Sequence, residues 1–169
     1  GAVVLILSIV AGFVAGGLWG FIAGWLEVSF GALEVITTVM LKYVAMWLNR
    51  YLIGYDGPLY DNTQGQPQSA AFQATFGRGF LIKGSDLTFT ILLAVVALII
   101  YFVFFFKMKK GYEMRVVGLN ATAAEYAGIK VKSNALLSMF LAGGFGGLAG
   151  VSELLGSQSR ILQDFSSGY

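Results

Sequence analysis

Four polar side chains sit close together in a stretch that otherwise reads as a membrane helix, Glu34–Ile53. Glu34, Thr37, Thr38 and Lys42 are three to five residues apart, and Glu34, Thr38 and Lys42 share one face at a spacing of four. Such a face can line a polar pathway for a solute that forms hydrogen bonds. The alternatives are a polar clamp between two helices, or a lysine whose amine reaches the membrane interface.

Lys42 requires a partner if it is buried, because an unpaired buried amine tends to lose its proton. Glu34 lies two turns away on the same helix, roughly 12 Å along the axis, which is too far for a direct bond. The partner must therefore come from another helix or from chain outside these residues.

Other chemistry is poorly represented in the sequence. There is no cysteine and no histidine, so the sequence offers neither a thiolate metal site nor the commonest general base. The glycine-rich stretch Gly143–Gly150 lacks the Lys-Ser/Thr ending of a phosphate loop and lies in an apolar run. A net charge of +2 does not favour nucleic-acid binding. We therefore expect no catalytic residues, no metal and no ATP hydrolysis on this chain.

A second candidate site is a short polar stretch between two apolar runs. Asn120 can cap a helix over Ala121–Ala127, and Gly128 can end it. A helix of two turns is marginal in water, so it needs a surface to dock on. The alanines Ala123, Ala124 and Ala127 would give it one small, flat side for a groove on a partner protein. The alternative is a connecting helix that lies on the membrane surface.

The composition determines which elements carry these residues. Apolar residues make up 57% of the 169 residues and charged residues 12%, with 23 glycines in addition. So much apolar surface excludes an ordinary soluble enzyme and a disordered chain, and it leaves an integral membrane protein. Since the chain begins at Gly1 without a basic leader, we expect it to be an internal part of a longer protein.

The apolar runs predict an all-α fold, a polytopic transmembrane helix bundle with about four spans and a short loop helix. Glycines recur every fourth residue in the first span and in the last, which favours close packing of helix backbones. The predicted spans are Ala2–Leu26, Glu34–Ile53, Leu87–Phe106 and Ala135–Leu155. The glycines of the first span are Gly12, Gly16, Gly20 and Gly24, and the last span has the pairs Gly143/Gly147 and Gly146/Gly150.

Charge predicts the orientation. The segment Lys107–Asn134 has six basic residues and the long loop Gly54–Ser85 has two, so the positive-inside rule puts the first in the cytoplasm and the second outside. The short connection Glu27–Leu33 would then also be inside, although it has no basic residue of its own.

Three segments, in this order, resemble one family. Gly118–Ile129 is similar to the cytoplasmic coupling segment of the permeases of bacterial ABC importers for simple sugars, nucleosides and branched-chain amino acids. Leu18–Gly24 followed by Glu34–Leu41, and then Leu137–Gly156, are similar to other conserved-looking stretches of that family. The pattern is nearest to the nucleoside and simple-sugar branch.

The resemblance implies a permease subunit in a bacterial plasma membrane, with residues 1–169 as the middle part of one permease region. It implies a second permease subunit, ATP-binding subunits that carry ATP and Mg²⁺, a solute-binding lipoprotein or periplasmic protein, and surrounding lipid. The residues that would couple to the ATPase are Gly118, Asn120, Ala123, Ala124, Glu125, Gly128 and Ile129.

Two positions depart from the family pattern, which usually has asparagine at the places of Leu33 and Lys42. An added cation in the pathway could favour an anionic or carbonyl-rich solute. The competing functions are an ion-coupled secondary transporter that uses Glu34 and Lys42, and a membrane scaffold without transport. A membrane enzyme is the least favoured, because no nucleophile and base occur together.

Overall fold

The computed structural model describes residues 2–31, 33–53 and 90–154, and all of its regular elements there are helices. The predicted loop Gly54–Ser85 lies outside the described residues. The all-α fold is confirmed. The six helices are α1 Ala2–Phe30, α2 Glu34–Ile53, α3 Thr90–Lys107, α4 Lys109–Leu119, α5 Ala121–Tyr126 and α6 Val131–Glu153.

The closest packing in the described chain joins α1 to α6 through glycine. A Cβ atom added to Gly16 would lie 2.8 Å from the Cα of Gly147, and one added to Gly20 would lie 3.0 Å from the Cα of Gly143. The two backbones are therefore in direct contact, and no side chain fits between them. This confirms the prediction that the four-residue glycine spacing of α1 and the Gly143/Gly147 pair form a helix interface.

The other predicted pair, Gly146/Gly150, is not part of this interface. No atom lies within 4 Å of a Cβ added to either residue. Both pairs have the same spacing, but Gly146 and Gly150 point away from α1. The prediction that both pairs pack against a neighbouring helix is wrong for this one in the described part of the chain.

Aromatic rings fill the holes beside the glycine contact. The ring of Phe140 lies over Gly17, where an added Cβ would be 2.7 Å from it, and the ring of Phe13 lies over Gly144, at 2.6 Å. Phe13 also meets Phe140 and Phe145 edge to face, with ring centroids 6.1 and 6.0 Å apart. Each such pair adds about 0.5–1.5 kcal/mol to what burial alone contributes.

α3 joins this pair of helices through Tyr101, whose ring centroid is 6.0 Å from that of Phe145 on α6. At Met108 the chain bends by 75° into α4, an element that the sequence analysis did not predict. Gly111 permits the bend, because a Cβ there would lie 2.6 Å from the Cα of Phe105.

Two boundaries also differ from the prediction. α1 continues through Glu27 to Phe30 and the chain turns at Gly31, whose φ of 63° favours glycine. α6 begins at Val131, four residues before the predicted start. Each end extends because the polar residues there still form helix hydrogen bonds outside the apolar run.

The number of spans is lower than predicted in the described residues. Ile6–Phe30 and α6 are long and apolar enough to cross a bilayer, and the bent pair of α3 and α4 gives a third if it counts as one span. α2 does not meet this criterion, because Glu34, Lys42 and Arg50 interrupt its apolar character. Four spans are thus supported only as two or three.

Two glycine-to-alanine changes on α6 test the glycine contact. Gly143→Ala should lower the free energy of unfolding by about 1–3 kcal/mol, because its methyl group would collide with the backbone of Gly16. Gly146→Ala should be neutral or stabilise by up to about 1 kcal/mol, because alanine favours the helix and meets nothing. Denaturation of the full-length protein in detergent measures both, and equal destabilisation by the two would contradict the interface.

Candidate functional site

The predicted loop helix is present as α5 and is capped at both ends. The side-chain Oδ1 of Asn120 accepts a hydrogen bond from the backbone N–H of Ala123 at 3.0 Å. At the other end the N–H of Gly128 donates to Glu125 O at 2.9 Å and the N–H of Ile129 to Ala124 O at 3.0 Å. With φ of +79° at Gly128 this is a Schellman motif. The capping role of Asn120 and the stop at Gly128 are confirmed.

The alanines of α5 do not form the single flat side that the sequence suggested. Ala124 is completely buried, with 0% of its surface exposed, whereas Ala123 and Ala127 are exposed. The helix packs against α4 and α6, and Ala124 lies on its inner side. The prediction of a common docking side is therefore wrong for Ala124, which has a structural place in the fold.

Two large side chains that the sequence analysis did not select project from this region. Leu119, just before the cap, is 88% exposed and Tyr126, at the end of α5, is 91% exposed. Gly118 and Glu125 are also exposed, and Ile129 is half-buried. The available signal was the occurrence of two bulky apolar residues on either side of a capped helix in a polar segment.

A polar link ties the base of this region together. The carboxylate of Glu113 on α4 accepts hydrogen bonds from Lys110 Nζ at 2.7 Å and from Asn134 Nδ2 on α6 at 3.5 Å. Asn134 is 3% exposed and also donates to Lys130 O at 3.1 Å. Lys110 lowers the pKa of Glu113, so the carboxylate is ionised at neutral pH and the link is held.

The structure divides the predicted polar face of α2. Thr37 is buried and its hydroxyl donates to Leu33 O at 3.2 Å, while Glu34, Thr38 and Lys42 lie on an exposed side. The Thr38 hydroxyl donates to Glu34 O at 2.9 Å. Within the described ranges neither Glu34 nor Lys42 forms an ion pair. Three of the four residues thus share one open face, and Thr37 does not.

Two cavities border α3, and both are apolar. The first, of about 460 Å³, lies between α3 and α6, and the second, of about 310 Å³, lies where these helices meet α1. Tyr101, Phe145 and Leu148 line both. Their walls offer little to a hydrogen-bonding solute. No group of three or more acidic, cysteine or histidine side chains suited to a metal occurs among the described residues.

Comparison with known families decides what kind of protein carries these features. A sequence profile described as a branched-chain amino acid transport system / permease component matches residues 1–169, which is the whole chain. The chain belongs to this permease family. Its members are transport subunits and not enzymes, and the apolar helices α1 and α6 agree with an integral membrane protein.

Individual relatives agree with the family. The chain is 37% identical to the nucleoside ABC transporter permease protein NupB of Lactococcus lactis subsp. cremoris over 95% of this chain and 46% of that protein. It is 37% identical to the guanosine ABC transporter permease protein NupP of Bacillus subtilis over 89% and 43%. It is 35% identical to the glucose ABC transporter permease protein TsgB13 of Haloferax volcanii over 96% and 45%.

The chain therefore spans a little less than half the length of these relatives. No solved structure matches it.

Neighbouring alanines on α5 test the inward position of Ala124. Ala124→Leu should lower the free energy of unfolding of the full-length permease by about 1–3 kcal/mol, because a larger side chain does not fit against α4 and α6. Ala123→Leu, one residue away and exposed, should leave it within about 0.5 kcal/mol. Thermal unfolding of the permease alone measures both, and equal stability of the two variants would refute the assignment.

Proposed function

We propose that this chain is the translocating part of an ATP-driven ABC importer for nucleosides or simple sugars. The observation that carries the proposal is α5, a doubly capped helix held between α4 and α6 with Leu119 and Tyr126 projecting from it. The family match over the whole chain and the names of the relatives support the same class of solute.

The proposed partners follow from this role. ATP-binding subunits would bind ATP and Mg²⁺ and dock on α5 from the cytoplasm, and a second permease would complete the pathway. A solute-binding protein would deliver the solute from outside. The coupling residues that the partner would contact are the exposed ones, Gly118, Ala123, Glu125 and Tyr126, whereas Asn120, Gly128 and Ala124 would hold the helix in shape.

Motion of the ATPase would reach the membrane through packed elements. A displacement of α5 would move α4 and α6, because α5 packs on both and Glu113 bonds to Asn134 between them. α6 is in backbone contact with α1, so these two helices would move as one unit. The short, capped geometry suits this role, since a rigid element transmits displacement better than a flexible loop.

We further propose that the exposed face of Glu34, Thr38 and Lys42 borders the solute pathway. All three are polar, open and one turn apart on α2. Thr37 would instead support the helix from its buried side. An ion-coupled transporter using Glu34 and Lys42 is the competing function, but the two groups are separated along the helix and do not pair in the described structure.

Truncation of the projecting side chains tests the docking role. Leu119→Ser with Tyr126→Ser should weaken the association of the purified permease with its ATP-binding subunit by roughly 30-fold, the loss expected for one interface anchor of about 2 kcal/mol. Folding should be unaffected, because both side chains are exposed. Tyr51→Ser, an equally exposed tyrosine on α2, is the matched control. Unchanged association in the double variant would remove the proposal.

Replacement of Lys42 tests the pathway. In the full transporter, Lys42→Asn should weaken uptake of anionic relative to neutral solutes by at least about tenfold, since a hydrogen bond to a charged group contributes about 1.5–3 kcal/mol. Lys132→Asn removes the same charge outside α2 and should leave the ratio unchanged. If uptake proves independent of ATP and collapses with an uncoupler, the ion-coupled alternative is correct; if selectivity does not change, Lys42 is not in the pathway.

A further inference from the structure

The bend between α3 and α4 holds an arginine in an unusual setting. The guanidinium carbon of Arg115 lies 5.0 Å from the ring centre of Phe106 and 6.0 Å from that of Tyr112. Its Nε is buried and has no hydrogen-bond partner within the described structure. The two rings therefore fix a cation at the end of α3, and no protein anion there neutralises it.

Two lysines extend the positive charge at the same place. Lys107 ends α3 and Lys109 begins α4, both are exposed, and neither pairs with a carboxylate in the ranges that the structure describes. Lys110 is different, because it is already bonded to Glu113. Three cations thus surround the bend, at the depth where an apolar span meets the membrane interface, and lack an anionic partner.

An apolar strip leads away from this cluster along α3. Phe106, Phe102, Ile99 and Val95 are all about half-exposed, and their spacing puts them on one helix face. The rings of Phe102 and Phe106 stack with centroids 5.0 Å apart. The opposite side of α3 is the one that packs on α6 through Tyr101.

We propose that this bend binds the headgroup of an anionic phospholipid of the cytoplasmic leaflet. The phosphate would lie on Arg115 with Lys107 and Lys109, and an acyl chain would lie along Phe106, Phe102, Ile99 and Val95. Arginine on a ring presents its outer N–H groups in the planar form that suits phosphate. Clusters of basic residues just cytoplasmic of a span are typical sites for anionic lipids.

The strip favours a lipid over an acidic surface of a protein partner. It continues the basic cluster about 16 Å into the predicted span, counted from Phe106 to Val95 at ~1.5 Å per residue. A subunit in the cytoplasm would contact the cations and could not reach the strip. An amphiphile satisfies both parts of the surface.

Lipid selectivity of the full-length permease in nanodiscs tests the proposal. The discs are made of phosphatidylcholine with a small proportion of spin-labelled phosphatidylglycerol or, separately, spin-labelled phosphatidylcholine. The immobilised fraction should be larger for phosphatidylglycerol. Arg115→Gln should lower this preference about fivefold, the effect of one basic residue near an anionic partner. Lys132→Gln, the same loss of charge on α6, should have little effect.

Further arms separate the other outcomes. Lys107→Gln with Lys109→Gln changes exposed side chains that make no described ion pair, so its predicted loss of preference does not depend on Arg115 supporting the fold. Equal effects of Arg115→Gln and Lys132→Gln would mean diffuse attraction and would overturn the site. Displacement of the spin-labelled lipid by excess inorganic phosphate at constant ionic strength would identify a free-phosphate site instead. Loss of ATPase binding with unchanged lipid preference would identify a protein contact.

Discussion

Direct contact between the backbones of α1 and α6 determines the arrangement of the other helices. In a membrane the lipid tails are as apolar as leucine, so helices associate through close packing and not through exclusion of water. Each atom pair in contact contributes only about 0.1–0.2 kcal/mol, and many pairs are needed. Glycine provides them because it lets whole stretches of backbone meet. α2 then packs on α1, while α3, α4 and α5 attach to this pair through α6 and through one another.

The helix that carries the proposed coupling role illustrates how a weak local element becomes rigid. A helix of six residues does not persist alone. Here the Asn120 side chain bonds the first turn, the Schellman motif closes the last, and Ala124 is buried against its neighbours. The two exposed side chains at its ends stand on a base that cannot easily deform. Rigidity at the base and exposure at the tip are the two properties required of a coupling element.

Local patterns in the sequence predicted the features that depend on local physics. Glycine spacing identified the interface face of α1, and Asn120 and Gly128 identified the ends of α5. The sequence could not distinguish Gly143/Gly147 from Gly146/Gly150, because both have the same spacing and only the position of α1 separates them. The inward side of Ala124 likewise depends on α4 and α6. The bend at Met108 was missed because no proline or glycine marks it.

The glycine contact also has a consequence for biosynthesis. About one hundred residues separate the end of α1 from the start of α6, which at ~5–20 residues per second corresponds to roughly 5–20 s of translation. During that interval α1 has already left the ribosome with its glycine face unpaired. Lipid, a chaperone of the insertion machinery or another nascent helix occupies that face first, and α6 completes the native pair by displacing it.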